Sequence, residues 1–188
     1  MIRAARLDDV DSINVIYNKA ILEGGLTGHL APLSFTKKRA WFRNHRDRYT
    51  IAVMIADCSV VGYAAISPYR EGRGAFAETC EISCYVSSEY RGRGLGKALV
   101  LHAVEHANRT GFHLVIAAVL GCNRRSIGLF TGLGFNIIAR VPDAANINGA
   151  HFDHVYLARR LLRADLGMVG DGHTLGCHLA ADVTGAKA

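Results

Sequence analysis

The stretch Arg91-Gly92-Arg93-Gly94-Leu95-Gly96 decides the fold of this sequence. It lies between a segment of strand character and a segment whose apolar spacing predicts a helix over 95–109. Its three glycines let the backbone approach a ligand without obstruction by Cβ atoms. The unpaired N–H groups and the positive dipole end of the helix point to the same place. We therefore expect a phosphate-binding turn here, and a tight glycine-rich connection without a ligand is the alternative.

Two common phosphate-binding patterns do not fit this segment. A Walker loop needs Gly-Lys followed by Ser or Thr, whereas Gly96-Lys97 is followed by Ala98. A dinucleotide fingerprint needs Gly-x-Gly-x-x-Gly directly after a strand, whereas these glycines have the spacing Gly-x-Gly-x-Gly and follow the polar interval 87–90. A third phosphate-binding pattern consists of Arg or Gln, two residues, Gly, one residue, and Gly or Ala. Arg91, Gly94 and Gly96 match that pattern.

The rest of the chain predicts one mixed α/β domain followed by a tail. Hydrophobic periodicity and turn signals give the element order β-α-α-β-β-β-α-β-α-β-β. The predicted helices cover about 10–21, 36–48, 95–109 and 124–133, and the predicted strands 2–6, 49–56, 60–67, 76–86, 113–120, 135–141 and 151–159. Such an order forms a mixed sheet with helices on its faces. The domain is expected over residues 1–162, with the glycine-rich residues 163–188 as an appended, possibly flexible tail.

Composition excludes several classes of protein. The 188 residues carry a net charge of +6, which suits a ligand with several phosphates, and no recognition helix or aromatic-basic pattern predicts nucleic-acid binding. The basic residues between 37 and 48 are interpreted as the solvated face of a helix with Trp41 and Phe42 buried. No apolar run is long enough for a membrane helix, and no signal pattern is present, so we expect a soluble cytoplasmic protein. The loose cluster His173, Cys177 and His178 predicts no metal site.

Sequence blocks on both sides of the glycine turn carry a family resemblance. Thr79-Cys80-Glu81-Ile82-Ser83-Cys84-Tyr85-Val86 leads into it, and Asn123-Arg124-Arg125-Ser126-Ile127-Gly128-Leu129 follows about thirty residues later. With Val61-Gly62-Tyr63-Ala64 and Pro68-Tyr69-Arg70, they resemble the phosphinothricin and methionine sulfoximine branch of the GCN5-related N-acetyltransferases. The resemblance spans residues 1–162. It implies a twisted, mostly antiparallel sheet with a splayed central strand pair, and acetyl-coenzyme A as cosubstrate without a metal.

The resemblance also implies roles for individual residues. Glu81 stands where the family places a general base that takes a proton from the amine. The family often has a tyrosine that protonates the departing thiolate where this chain has Phe130, so Tyr85 is the substitute candidate. The residues expected to bind the cofactor are Tyr85, Val86, Ser87, Arg91, Gly92, Arg93, Gly94, Leu95, Gly96, Asn123 and Ser126. Alternatives remain for two of these residues: Glu81 as a structural acid paired with an arginine, and Asn123 as a helix cap.

The acceptor is less defined than the cofactor. Arg70 keeps one of two arginines with which this branch holds an anionic substrate, but Phe76-Ala77 stands where the family has a Tyr-Arg pair. Arg70, Phe76 and Glu81 are therefore expected to form a less cationic pocket for a small primary amine, such as an amino acid, an analogue or a resistance-type metabolite. A protein or peptide acetyltransferase and a catalytically weak coenzyme A-binding regulatory module are the alternatives. The resemblance further implies a homodimer.

Overall fold

The computed structural model describes residues 1–161, arranged as a seven-stranded sheet with four α-helices. The predicted tail over 163–188, with His173, Cys177 and His178, lies outside the described residues. The strands are β1 (Ile2–Ala4), β2 (Ile51–Ala56), β3 (Ser59–Pro68), β4 (Thr79–Val86), β5 (Leu114–Leu120), β6 (Asn136–Ile147) and β7 (Ala150–Arg160). The helices are α1 (Val10–Glu23), α2 (Phe35–Arg43), α3 (Leu95–Arg109) and α4 (Arg124–Thr131). The predicted order of helices and strands is confirmed.

The strands follow the order β1-β2-β3-β4-β5-β7-β6 across the sheet. Neighbouring strands are antiparallel except for the central pair β4 and β5, which run parallel. Apolar side chains of α3 and α4 pack on one face of the sheet, and those of α1 and α2 pack on the other. The mixed, mostly antiparallel fold with helices on both faces is therefore confirmed.

Strand β4 divides its side chains between the two cores. Cys80 and Ile82 are buried in the core on the α3 side, whereas Tyr85 packs against the core on the α1 side. Because side chains alternate along a strand, Glu81 shares the α1 face with Tyr85, as the sequence predicted. The alternation places the candidate base on the side of the sheet away from α3.

The central strands part after a short paired stretch. Only Thr79–Glu81 of β4 pairs with β5, opposite Leu114–Ile116. On its other edge, β4 stays paired with β3 from Cys80 to Val86. The second half of β4 therefore offers its backbone to an opening between the strands, and the predicted splayed pair is confirmed.

Three predicted boundaries were wrong by three residues or more. The strand expected over 76–86 begins at Thr79, because Phe76 belongs to a 3-10 turn at Gly74–Phe76. The helix expected over 36–48 ends at Arg43, and the chain turns at Asp47 with a φ of 58°. The strand expected over 135–141 continues to Ile147 as β6.

A hairpin extends the C-terminal strands beyond their predicted length. Ile147 pairs with Ala150 across Asn148 and Gly149, which have φ values of 51° and 87°. Asn-Gly is the sequence favoured in a two-residue hairpin turn, because both positions need positive φ. The signal was present in the sequence, and it brings the hairpin tip to the edge of the opening between β4 and β5.

Candidate active site

A cleft of about 1010 Å³ occupies the opening between β4 and β5. The second half of β4, the glycine turn and the first residues of α3 form one wall. Ala118 and Val119 of β5, the start of α4, and Phe152 of the hairpin form the other. Most of the exposed surface in the cleft is apolar, while charged groups gather at the two helix starts. An elongated ligand with an apolar arm and an anionic end fits such a cleft.

The glycine turn is shaped for close approach of a ligand. Gly92 and Gly94 both have φ of 78°, a left-handed conformation that costs other residues about 1 kcal/mol or more. A Cβ added at either position would meet nothing within 4 Å, so these glycines are not required by packing against protein. Gly94 directly precedes α3, whose first N–H groups have no intrahelical partner. The turn therefore provides an open cradle of N–H donors for an anion.

Arg91 lines the cleft and also holds the turn in place through its contacts with the protein. Its Nε donates to the carbonyl of Val86 at 2.9 Å, and its Nη2 donates to the carboxylate of Glu23 at 3.0 Å. Glu23 is the last residue of α1, so one side chain ties that helix, the end of β4 and the turn together. The positive charge of Arg91 is largely compensated by this pair.

Other cations supply the positive charge around the cleft. Lys97 from the first turn of α3 and Arg124 and Arg125 from the first turn of α4 line it. Of the predicted cofactor residues, Arg93 and Ser87 are not among the lining residues found in the described part of the chain. The Arg93 guanidinium donates to the carbonyl of Glu89 at 3.1 Å. The backbone N–H of Ser87 donates to the carbonyl of Val61 at 2.9 Å.

Asn123 takes the capping role that was open as an alternative. Its Oδ1 accepts from the backbone N–H of Ser126 at 3.1 Å and caps α4. Both residues also line the cleft. Capping uses the amide oxygen, so the Nδ2 donor is available to a ligand arm, and the two roles are compatible.

Glu81 is the last residue of β4 that pairs with β5, and it lines the cleft at the point where these two strands part. Its half-buried carboxylate has a raised pKa, because burial disfavours the charged form, and the nearby positive charge of Arg70 opposes that rise. Arg70 is itself exposed and lies against the Tyr69 ring, with its guanidinium carbon 5.0 Å from the ring centroid. Arg70 therefore influences Glu81 by its charge, and a carboxylate with a raised pKa that lines a cleft is a candidate base.

Tyr85 belongs to a cluster of tyrosines on the same face. Its ring stacks on Tyr63 at 5.4 Å and meets Tyr17 edge-on at 5.0 Å. The Tyr17 hydroxyl lies 2.8 Å from Thr27 Oγ1 and 2.6 Å from His29 Nδ1. Burial raises the pKa of Tyr85, so its hydroxyl stays protonated.

Two phenylalanines at positions considered in the sequence, Phe130 and Phe76, lie in different surroundings. Phe130 borders the cleft but is 4% exposed and packs edge-on against Phe135 at 5.1 Å, so this position supplies apolar surface and no proton. Phe76 is 40% exposed, meets Tyr69 edge-on at 5.8 Å, and is not among the cleft-lining residues of the described chain. Arg70 and Phe76 thus lie together beside the Tyr69 ring.

Comparison with known proteins agrees with this geometry. The sequence model of the Acetyltransferase (GNAT) family matches residues 18–135. This chain belongs to the GNAT acetyltransferase family. It is an acetyl-transferring enzyme whose cosubstrate is acetyl-coenzyme A, and the glycine turn with the start of α3 suits the pyrophosphate.

Some proteins similar to this GNAT enzyme are named for small-molecule substrates, and one is named for a ribosomal protein. An L-methionine sulfoximine/L-methionine sulfone acetyltransferase of Pseudomonas aeruginosa is 32% identical, with 85% of this chain and 94% of that protein covered. A phosphinothricin acetyltransferase of Sinorhizobium meliloti, solved in complex with acetyl-coenzyme A, superposes with a TM-score of 0.83 and 29% identity over 93% and 95% of the two chains. A ribosomal-protein-alanine N-acetyltransferase of Brucella melitensis superposes with a TM-score of 0.82 and 28% identity. The match covers 86% of this chain and 99% of that chain.

The described residues 1–161 of this GNAT enzyme contain no helix that is long and apolar enough to cross a membrane. Within the same range, no three or more His, Cys, Asp or Glu side chains are grouped so that they could hold a metal ion.

Sequence reasoning missed one buried charge on α2. Lys38 was assigned to the solvated side of α2, but it is 3% exposed, with Nζ 3.8 Å from the centroid of the Tyr17 ring and 4.4 Å from that of Trp41. Burial lowers its pKa to about 8. The lysine lies on the side of α2 that faces the tyrosine cluster, which the sequence pattern did not show. Trp41 and Phe42 pack against the same core, as predicted.

Proposed function

We propose that this enzyme transfers the acetyl group of acetyl-coenzyme A to the primary amine of a small molecule, with Glu81 as the general base. The observation that carries the proposal is the place of the Glu81 carboxylate, half-buried where β4 and β5 part. The relatives named above that act on methionine sulfoximine and phosphinothricin support an amino acid or an amino-acid analogue as the acceptor.

The chemistry requires a neutral amine. An α-amino group, with a pKa near 7.7–8.0, loses its proton far more readily than a lysine side chain near 10.4. Glu81 accepts this proton, directly or through a water molecule, and the amine attacks the thioester carbonyl. Backbone N–H groups near Val86 stabilise the oxyanion that forms, and collapse of the intermediate expels the thiolate. Tyr85 is the candidate that protonates the thiolate, since Phe130 has no acidic proton.

Arg70 is the candidate anchor for one anionic group of the acceptor. Its charge lies near Glu81, so an anion held there would place an α-amino group close to the base. The missing Tyr-Arg pair at Phe76-Ala77 leaves a single arginine of the two, which favours a monoanionic acceptor over phosphinothricin. The homodimer stays a prediction.

Replacement of the base tests the proposal directly. We expect Glu81→Gln to lower kcat by roughly 10²-fold or more, because the amide cannot accept a proton, with the Kd for acetyl-coenzyme A unchanged. Free thiol release measured with a panel of amino acids and analogues gives both the rate and the acceptor. Glu105→Gln, an exposed carboxylate on α3, is the matched control. Unchanged kcat in Glu81→Gln would contradict the assignment of the base.

The same assay separates the second candidate function. The likeness to a ribosomal-protein-alanine N-acetyltransferase favours a peptide N-terminus as an alternative acceptor. Peptides with free N-termini therefore belong in the panel beside the amino acids. Faster acetylation of peptides would support the alternative, and binding of acetyl-coenzyme A without thiol release on any amine would support a regulatory module.

A further inference from the structure

Two polar side chains beside Glu81 are not used by the mechanism described above. Ser67 of β3 is the register partner of Glu81, so the two side chains stand opposite each other on the same face of the sheet. Directly opposite residues of antiparallel strands have Cβ atoms about 4.5–5.5 Å apart. His45, which follows α2, lies next in line, with Nε2 3.0 Å from Ser67 Oγ. Glu81, Ser67 and His45 therefore form a row that begins at the cleft.

The backbone fixes the direction of hydrogen bonding in this row. His45 Nδ1 lies 2.9 Å from the carbonyl oxygen of Trp41, which can only accept, so Nδ1 carries the hydrogen of the neutral ring. Nε2 is then an acceptor, and the Ser67 hydroxyl donates to it. The lone pairs of Ser67 Oγ are left to accept a hydrogen bond from the Glu81 side. With these donor and acceptor roles, a proton can move from Glu81 through Ser67 to His45.

The proposed reaction requires a route by which a proton leaves Glu81 in each turnover. An ammonium acceptor has three N–H protons and the amide product has one, so two protons leave the nitrogen in each turnover. One of them ends on the coenzyme A thiol, and the other must reach water. Glu81 has to lose its proton before the next cycle, and acetyl-coenzyme A and the acceptor would cover its cleft side.

We propose that Ser67 and His45 relay the proton from Glu81 to solvent. The protonated Glu81 carboxyl donates to Ser67 Oγ while the Ser67 hydroxyl proton passes to His45 Nε2. Glu81 returns to carboxylate, Ser67 remains a hydroxyl, and His45 becomes an imidazolium. The imidazolium returns to the neutral ring when a water molecule takes the Nε2 proton, while Nδ1 keeps its hydrogen bond to the Trp41 carbonyl; the half-buried position of His45 gives water access to the ring. This inference rests on the proposed role of Glu81 as the base.

The charges around the row suit a transient imidazolium. Burial and the positive charge of Lys38 lower the pKa of His45, so the ring is neutral and ready to accept near pH 7, while the Trp41 carbonyl stabilises the charged form. Burial raises the pKa of Glu81, and Arg70 opposes that rise. The two pKa values are thereby moved towards each other, which is the condition for reversible proton transfer.

Removal of the serine hydroxyl is the first test. We expect Ser67→Ala to lower kcat roughly tenfold without changing the KM for acetyl-coenzyme A, because only proton removal is slowed. Ser59→Ala, at the exposed start of the same strand, should behave as the unmodified enzyme. His45→Ala should show a similar loss, and added imidazole should restore its kcat in proportion to the free base concentration. The double variant Ser67→Ala/His45→Ala should be no slower than the slower single variant.

Three results would overturn the relay: full activity of Ser67→Ala across the pH profile, independent losses that multiply in the double variant, or no response of His45→Ala to imidazole. The Glu81→Gln variant keeps the two proposals apart. A fully active Glu81→Gln enzyme would overturn the base itself. An inactive Glu81→Gln enzyme beside a fully active Ser67→Ala enzyme would overturn only the relay.

Discussion

Single residues set the acid-base properties of the site, and the contrast between Glu81 and Arg70 shows how. Burial raises the pKa of Glu81, while Arg70 favours the carboxylate and holds that rise back. Arg70 is exposed, so water and salt screen much of its effect. The pKa of the half-buried Glu81 carboxylate therefore depends on the screened charge of Arg70. Replacement of Arg70 should be measurable in the pH dependence of activity.

We expect Arg70→Ala to move the acid limb of the kcat profile to higher pH. A base acts only when it is ionised, so activity falls as the pH drops through the pKa of Glu81. Removal of Arg70 raises that pKa further, and the loss of activity then begins at a higher pH. Measured kcat between pH 5 and 9 gives the midpoint.

Charge and substrate binding can be separated with two further variants. Arg70→Lys keeps the charge and should keep the midpoint, even if its KM for the acceptor rises. Arg73→Ala removes another exposed arginine three residues away and should leave both quantities unchanged. An acid limb that moves to lower pH in Arg70→Ala would contradict the inferred sign.

At the scale of elements, the site depends on how closely β3 approaches the end of β4. A Cβ on Gly62 would lie 3.0 Å from the carbonyl oxygen of Tyr85 and 3.2 Å from side-chain carbons of Val86 and Leu99. Such distances are tighter than ordinary packing allows, and one of the neighbours is backbone. Glycine at this position therefore keeps the wall of the cleft against β3 while the opposite edge of β4 opens.

Gly62→Ala should destabilise the protein by about 1–3 kcal/mol, since overpacking forces the strands apart. Because Tyr85 and Val86 form the cleft wall, the affinity for acetyl-coenzyme A should fall as well. Urea denaturation gives the free energy of unfolding, and calorimetric titration gives the Kd. Gly74→Ala is the matched control, because a Cβ there would meet nothing within 4 Å and its φ is not positive. Equal stability of the two variants would contradict the close approach.

The whole molecule determines which cysteines can react. Burial raises the pKa of Cys80 and Cys84 to about 12, so they are poor nucleophiles in the folded protein. Cys58 and Cys122 are exposed, but Cys122 lines the cleft and Cys58 lies in the turn between β2 and β3. Of the four cysteines within residues 1–161, one exposed thiol therefore lies at the proposed cofactor site and one lies away from it.

Acetyl-coenzyme A should protect Cys122 from iodoacetamide and leave Cys58 unprotected. At a concentration of ten times the Kd, we expect alkylation of Cys122 to slow by about tenfold, in proportion to the fraction of free protein. Peptide-resolved mass spectrometry measures both cysteines in one sample, so Cys58 is an internal control. Equal protection of the two cysteines, or none, would be inconsistent with a cofactor in this cleft.

The element order and the phosphate-binding turn could be predicted because they depend on local signals. Periodicity gave the helices and strands, and three glycines before a helix gave the turn at 91–96. Boundaries failed where local signals were weak, as at Phe76, or overlooked, as at the Asn148-Gly149 hairpin turn. Alternation along β4 correctly put Glu81 and Tyr85 on one face.

The sequence by itself determined the fold class, the family and the cofactor, since each is encoded by residues close together in the chain. Only the tertiary structure decided what surrounds Glu81. The register of β3 sets Ser67 opposite Glu81, and the early end of α2 puts His45 beside Ser67. Arg91 also acquired its role from a distant partner, Glu23 of α1. Such contacts join residues far apart in sequence, and their distances follow from packing that no local pattern records.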